Sequence, residues 1–214
     1  MRRPHRLRAA LLAALLVAGA ACSDDDDTAT TTTPTTATTV ADPALDAVLV
    51  RQEELPAGFE PSPDVDDTIT AFCAGEDAAA GLQATGRALA GYRRQPEGAS
   101  VIHLVFRFRT GDAERFVDQA AAILDRCSEV PDTTGLAFTY TPAAPAVDAA
   151  LAGTDAHVAR HGVSIGSGNL AIDIGVFRYG EVGELVAVLA VDATRDALDG
   201  LSAQAFAAAS ARRP

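Results

Sequence analysis

The chain contains no lysine and no tryptophan, and only three of its 214 residues are cysteines. All 17 basic residues are therefore arginines, and four of them lie within the first eight residues. From Cys22 onward, 13 arginines stand against 29 acidic residues, a net charge of −16. Because phosphate binding needs a basic face, this charge argues against a nucleic-acid-binding protein.

Long hydrophobic runs are also scarce, and the longest one has 13 residues, from Ala9 to Ala21. A membrane-spanning helix needs about 20 apolar residues, so this run is too short to cross a bilayer. Arginines precede it and small residues follow it, which is typical of an export signal, and we predict a signal peptide over residues 1–21. The pair Arg2-Arg3 leaves twin-arginine export as an alternative to general secretion.

Cysteine usage predicts a lipid anchor. The stretch Val17-Ala-Gly-Ala-Ala-Cys22 resembles the lipobox of bacterial lipoproteins, in which the cysteine becomes the lipidated first residue. Lipidation of Cys22 would leave Cys73 and Cys127 as a pair, which we expect to form a disulfide in an oxidising compartment. Two alternatives stay open: cleavage after Ala20, and a redox role for the pair, although no C-x-x-C motif supports the latter.

A polar segment follows the predicted signal. Residues 22–41 hold Cys22, four consecutive aspartates and a threonine-rich stretch without large apolar side chains. Such a composition cannot offset the entropy of ordering, so we predict a disordered acidic and threonine-rich tether. The aspartates lack the alternation and the central glycine of a calcium-binding EF-hand loop. Residues 42–214 are then expected to form one globular domain.

Hydrophobic periodicity indicates an α+β domain. Residues 101–109 and 170–176 alternate with a period of two, so both are predicted strands, whereas residues 185–191 are apolar on both faces, as in a central strand. Helical spacing predicts helices that begin near residues 43, 113 and 194. Short turns between strands favour antiparallel pairs, and we predict a sheet of about five to seven strands with two or three helices packed on one face.

Catalytic motifs are weak in this sequence. Ser164 lies in a G-x-S-x-G pattern, but a predicted strand follows it and all four histidines precede it. A nucleophile elbow needs a helix after the serine and a later histidine, so a glycine-rich turn is the better interpretation. His157 and His161 are four residues apart on a predicted strand, about 13 Å, too far to share a metal ion. We predict no enzyme activity, no cofactor and no metal site.

A local excess of basic side chains gives a candidate ligand site. His103, Arg107 and Arg109 line one face of a predicted strand, and Arg93 is expected on a neighbouring strand. These side chains predict a cleft for a small anionic or lipidic ligand, such as a phosphorylated or carboxylated lipid or a cell-wall fragment. The alternative is that the arginines pair with the abundant surface acids.

The order of these landmarks resembles a known family. A lipobox cysteine, a threonine-rich stalk, an entry helix ending in Leu55-Pro-Ala-Gly-Phe59, Cys73, and a strand followed by a helix ending in Cys127 are similar to the PknH-like sensor domains of actinobacterial kinases and lipoproteins. The resemblance covers roughly residues 42–211. It implies a twisted antiparallel sheet, a disulfide through the cysteine after the long helix, and a ligand-binding cleft. The chain lacks the cysteines for the family's second disulfide, and it has Leu124 where tryptophan is common.

These observations together predict a lipid-anchored protein on the outer side of the cytoplasmic membrane with a non-catalytic, sensor-like ligand-binding domain. One alternative is a carrier for a lipid or another apolar molecule, which would require an interior cavity. Another is a structural envelope protein that binds a protein partner, for which a filled core and an exposed apolar patch would be expected.

Overall fold

The computed structural model describes residues 41–63, 71–72, 76–95, 98–126, 129–130, 138–143, 155–165 and 168–213. The predicted signal peptide, nearly all of the tether and the three cysteines, Cys22, Cys73 and Cys127, lie outside these residues. The described helices are α1 (Pro43–Asp46), α2 (Asp112–Asp125) and α3 (Arg195–Ala211), with a 3-10 turn at Gln52–Glu54. The described strands are β1 (Phe59–Pro61), β2 (Ala71–Phe72), β3 (Glu76–Asp77), β4 (Ala84–Arg94), β5 (Ala99–Phe108), β6 (Glu129–Val130), β7 (Phe138–Ala143), β8 (Ala156–Ile165), β9 (Gly168–Tyr179) and β10 (Val182–Val191).

Most of the described strands join one antiparallel sheet in the order β1-β4-β5-β10-β9-β8-β7-β6, while β2 and β3 form a separate ribbon. The predicted α+β class and antiparallel sheet are confirmed. Among the described residues, six strands of the large sheet have six or more residues, within the predicted range. The other two, β1 and β6, are edge strands of three and two residues, too short to show a period of two in the sequence.

The helices lie on both faces of the sheet, whereas the sequence predicted helices on one face only. Leu104 of β5 and Leu185 of β10 pack beneath α2. Val186 and Val188 of β10 pack beneath α3 on the opposite face. Successive residues of a strand point to opposite faces, so a central strand that is apolar on both sides needs cover on both.

Helix α2 covers only one end of the sheet face on which it lies. It begins just after β5, where Asp112 accepts a 3.0 Å hydrogen bond from the Gln83 N–H, and it ends beside β8, where Asp125 lies 3.1 Å from His157. A helix of 14 residues is about 21 Å long and about 10 Å wide. Because α2 runs across strands that are about 33 Å long, it cannot cover their whole length.

Two glycines let the helices approach the sheet closely. A Cβ at Gly175 would lie 2.5 Å from the Phe206 ring of α3, and a Cβ at Gly183 would lie 2.8 Å from the Phe116 ring of α2. Both distances are too short for a real contact, so these positions admit only glycine unless a ring moves.

Candidate functional site

The structure does not gather the four predicted ligand residues into one cleft. His103 and Arg107 share the face of β5 that α1 and α3 cover, and Arg107 pairs with Asp42 at 2.9 Å. Arg93 of β4 lies opposite Ser100 of β5, which places it on the other face of the sheet. The remaining predicted residue, Arg109, is exposed beyond the end of β5.

His103 belongs to a buried network rather than to a ligand cleft. Its Nδ1 accepts a 2.9 Å hydrogen bond from the Val50 N–H, so the ring proton is on Nε2, which lies 2.9 Å from the Glu184 carboxylate. Arg213, which follows α3, donates to the other Glu184 oxygen at 2.8 Å and stacks over Phe177. Burial alone would raise the pKa of Glu184, but the hydrogen bond from His103 and the Arg213 charge outweigh it and lower the pKa.

A second buried network lies beneath α3. Arg160 of β8 donates from Nε to Asp173 of β9 at 2.5 Å, and Asp173 also accepts a 2.6 Å hydrogen bond from the Ser202 hydroxyl of α3. Asp199 of α3 contacts another Arg160 nitrogen at 2.5 Å. Hydrogen bonds to Asp173, opposed by burial and aided by Asp199, raise the pKa of Arg160.

Both networks use their polar groups to hold α3 on the sheet. Asp173 and Ser202 are fully buried, and Glu184 is 1% exposed, so substrates have no access to them. The Ser202 hydroxyl faces a carboxylate that is already bound to arginine, and an acid held in that way is a poor base for activating a nucleophile. Sequence reasoning missed Asp173 and Glu184, although a lone acid between apolar residues of a strand is a signal for a buried ion pair.

The histidine pair and the serine of the G-x-S-x-G pattern all lie in strand β8. His157 and His161 lie on the same face of β8, and burial, followed by the nearby His157, lowers the pKa of His161. No group of three or more metal-binding side chains occurs within the described segments. Ser164 is in strand β8, paired with Asn169 of β9, so the element after it is a strand and not the helix of a nucleophile elbow.

The face that α2 leaves uncovered carries the candidate binding surface. Arg93, Ser100, Leu189 and Ile172 are consecutive cross-strand neighbours on β4, β5, β10 and β9, and all four are partly exposed. We call the surface next to Arg93 the open strip; five apolar residues and one serine define it: Ser100, Ile102, Leu170, Ile172, Leu189 and Val191.

The open strip is continuous with the core beneath α2. Ile102, Ile172 and Leu189 contact the buried α2 cluster while remaining partly exposed, and Val191 at the edge is 44% exposed. The sequence alternation placed Ile102 and Ile172 on the apolar faces of their strands, and the structure shows that these faces join. How far a helix reaches across the sheet decides how much of that face stays open.

Among the described residues, no helix is both long and apolar enough to cross a membrane.

Comparisons with known proteins show a relationship at the level of the fold. No protein-family model matches the chain, and no curated protein matches it. The crystal structure of the extracellular domain of PknH from Mycobacterium tuberculosis is similar, with a TM-score of 0.54 and 14% sequence identity. The match covers 83% of this chain and all of that domain. The resemblance to PknH-like domains is thus supported for the fold, and the chain shares an α+β architecture with an extracellular domain.

Proposed function

We propose that this protein is a lipoprotein anchored to the outer side of the cytoplasmic membrane, whose domain binds a ligand at the open strip and acts as a sensor-like module. The observation that carries the proposal is the strip itself: a partly exposed apolar surface on a rigid sheet, with Arg93 at one end. Apolar surfaces with a few polar groups at their edge are typical of ligand sites.

The buried networks support binding rather than catalysis. The groups that are close enough for proton transfer, His103 and Glu184, are buried, and Arg213 neutralises the Glu184 carboxylate. The open strip offers apolar contacts, and Arg93 beside it offers a cation; both are suited to ligand binding.

The start of the described chain lies apart from the strip. Ala41 pairs with Arg87 of β4, which lies opposite Phe106 of β5. Ser100 is six residues further along β5, about 20 Å away. Ala41 is therefore paired at a position distant from the open strip.

Metabolic labelling with a clickable fatty acid tests the anchor. We expect label on the wild-type chain and none on a Cys22→Ala variant, because the lipid would be attached to the Cys22 sulfur. Equal labelling of both chains would contradict lipidation at Cys22. A control variant, Ser23→Ala, keeps the cysteine and should label like the wild type.

Native mass spectrometry tests the ligand. The full chain, purified from membranes into phosphatidylcholine nanodiscs, should carry extra mass that leaves on denaturation, and Leu189→Asp should reduce this mass by placing a charge in the strip. Ala122→Asp, on the exposed side of α2, is the matched control. Identical masses before and after denaturation in the wild type would contradict a retained ligand.

The same exposed apolar surface also favours a second function, the binding of another envelope protein. In that case Leu189→Asp would abolish a cross-link between this chain and a protein, and native spectra would show no small molecule. No observation on the described residues specifically favours the alternative of a lipid carrier.

A further inference from the structure

We propose that the ligand of the open strip is a single-chain amphiphile with an anionic head group, bound with its head at Arg93 and its acyl chain across β5, β10 and β9. This inference rests on the proposed function and adds the chemical class and the orientation of the ligand.

Arg93 is unusual among the arginines of the sheet. Arg107, Arg160 and Arg178 each pair with an aspartate. Within the segments that the structure describes, the Arg93 guanidinium has neither a hydrogen bond nor an ion pair. A partly buried cation beside apolar side chains is well suited to a carboxylate or phosphate, which can accept two of its hydrogen bonds.

The Glu60 carboxylate lies close to the charge of Arg93. It lies directly opposite Arg93 on the edge strand β1, so both side chains project from the same face, yet no ion pair joins them. Glu60 is exposed, whereas Arg93 is partly buried. A bound anion at Arg93 would therefore be repelled by the nearby Glu60 carboxylate, and removal of that carboxylate should strengthen anion binding.

The dimensions of the strip suit one acyl chain. From Arg93 the row continues through Ser100, Leu189 and Ile172, three strand spacings that total about 14 Å. On one side α2 closes the surface, since Leu104 and Leu185 are fully buried beneath it. The remaining width is one to two side-chain rows, enough for one hydrocarbon chain lying flat.

The overall charge of the molecule restricts the head group. With a net charge of −16 from Cys22 onward, the surface repels polyanions. A single arginine at the end of an apolar row can instead neutralise one compact head group while burial of the chain supplies most of the affinity.

Photoaffinity labelling tests the class of ligand. The full chain in phosphatidylcholine nanodiscs is incubated with a diazirine analogue of palmitate or with the corresponding uncharged alcohol, irradiated and digested for peptide mapping. We expect the acid to label peptides of β9 and β10 that contain Ile172 and Leu189. The alcohol should label them about tenfold less at equal concentration, as expected from the loss of a charged hydrogen bond.

Variants make the test specific. Arg93→Gln should weaken labelling by the acid about tenfold without affecting the alcohol, and Glu60→Gln should strengthen labelling by the acid. The matched control is Arg109→Gln, because Arg109 is exposed beyond the other end of β5, nine residues or about 30 Å from Ser100. Unchanged far-UV circular dichroism confirms that each variant is folded.

Two results would overturn the inference in different ways. Equal labelling of the strip by acid and alcohol, unaffected by Arg93→Gln, would refute the anionic class and leave ligand binding at the strip intact. Absence of label from the strip with both probes would refute the inference, and an unliganded native mass spectrum would then refute the proposed function as well.

Discussion

Replacement of Asp173 by asparagine should destabilise the domain by about 3 kcal/mol. Asp173 is fully buried and holds the 6% exposed Arg160 through hydrogen bonds to Nε and a terminal nitrogen. The variant keeps the shape of the side chain but leaves Arg160 with Asp199 as its remaining carboxylate contact among the described residues. Removal of one partner of a buried ion pair costs about 3–5 kcal/mol, and the retained Asp199 favours the low end.

Urea unfolding is the assay, followed by circular dichroism because the chain has no tryptophan. The midpoint should fall at an unchanged slope, since the same surface is exposed on unfolding. The double variant Arg160→Met, Asp173→Leu is the control, because it removes both charges and should recover stability to within about 1–2 kcal/mol of the wild type. A loss below about 1 kcal/mol for Asp173→Asn would refute the reasoning that this carboxylate compensates a buried charge.

Further predictions concern the pH dependence, the packing and the cysteines. The lowered pKa of Glu184 means that its contribution to stability is complete above about pH 4.5, its unfolded value, and is lost as the pH falls through the folded value. Denaturation midpoints between pH 7 and pH 3 should fall less steeply in Glu184→Gln, and an identical slope would contradict this. Gly175→Ala should cost about 1–3 kcal/mol by its clashes with Phe206 and Phe177, and calorimetry should show partial recovery when Phe206→Leu removes one of them. Cys73 and Cys127 should form a disulfide worth about 4 kcal/mol, seen as a mass two hydrogens below the reduced chain, and free thiols in the exported protein would contradict it.

The disulfide stays a prediction, because both cysteines lie outside the described residues, but residues close to them in sequence are described. Glu76 of β3 pairs with Arg126 at the end of α2. These side chains lie three residues after Cys73 and one before Cys127, so the flanking segments meet in the fold.

Much of the secondary structure was predictable because it depends on local periodicity. The predicted strand at 101–109 matches β5 within two residues, and the helices predicted to begin near residues 113 and 194 are α2 and α3. The helix predicted near residue 43 is α1, which Asp42 caps. The entry helix is only four residues long, and a separate 3-10 turn follows it. A helix that short is stabilised by its contacts with the sheet rather than by its own hydrogen bonds.

The candidate site was less predictable because it depends on which elements cover which face. The alternation in β5 correctly separated the face of His103 and Arg107 from the apolar face of Ile102. We expected the face of His103 and Arg107 to line a cleft. In the structure His103 is buried against Glu184, 81 residues later, while Ile102 is partly exposed. Nothing within a strand of ten residues indicates where a distant helix will cross.

The sequence by itself determined the α+β class, the central position of β10 and the acidic character of the domain, because periodicity and charge are properties of the chain read locally. Tertiary structure alone decided that α2 and α3 cover opposite faces, that Arg160 meets Asp173 beneath α3, and that Arg93, which has no ion pair among the described residues, lies beside an open apolar strip. These features arise where segments far apart in sequence meet. The physical reason is that α2 crosses the strands, and a helix about 10 Å wide covers only part of strands about 33 Å long.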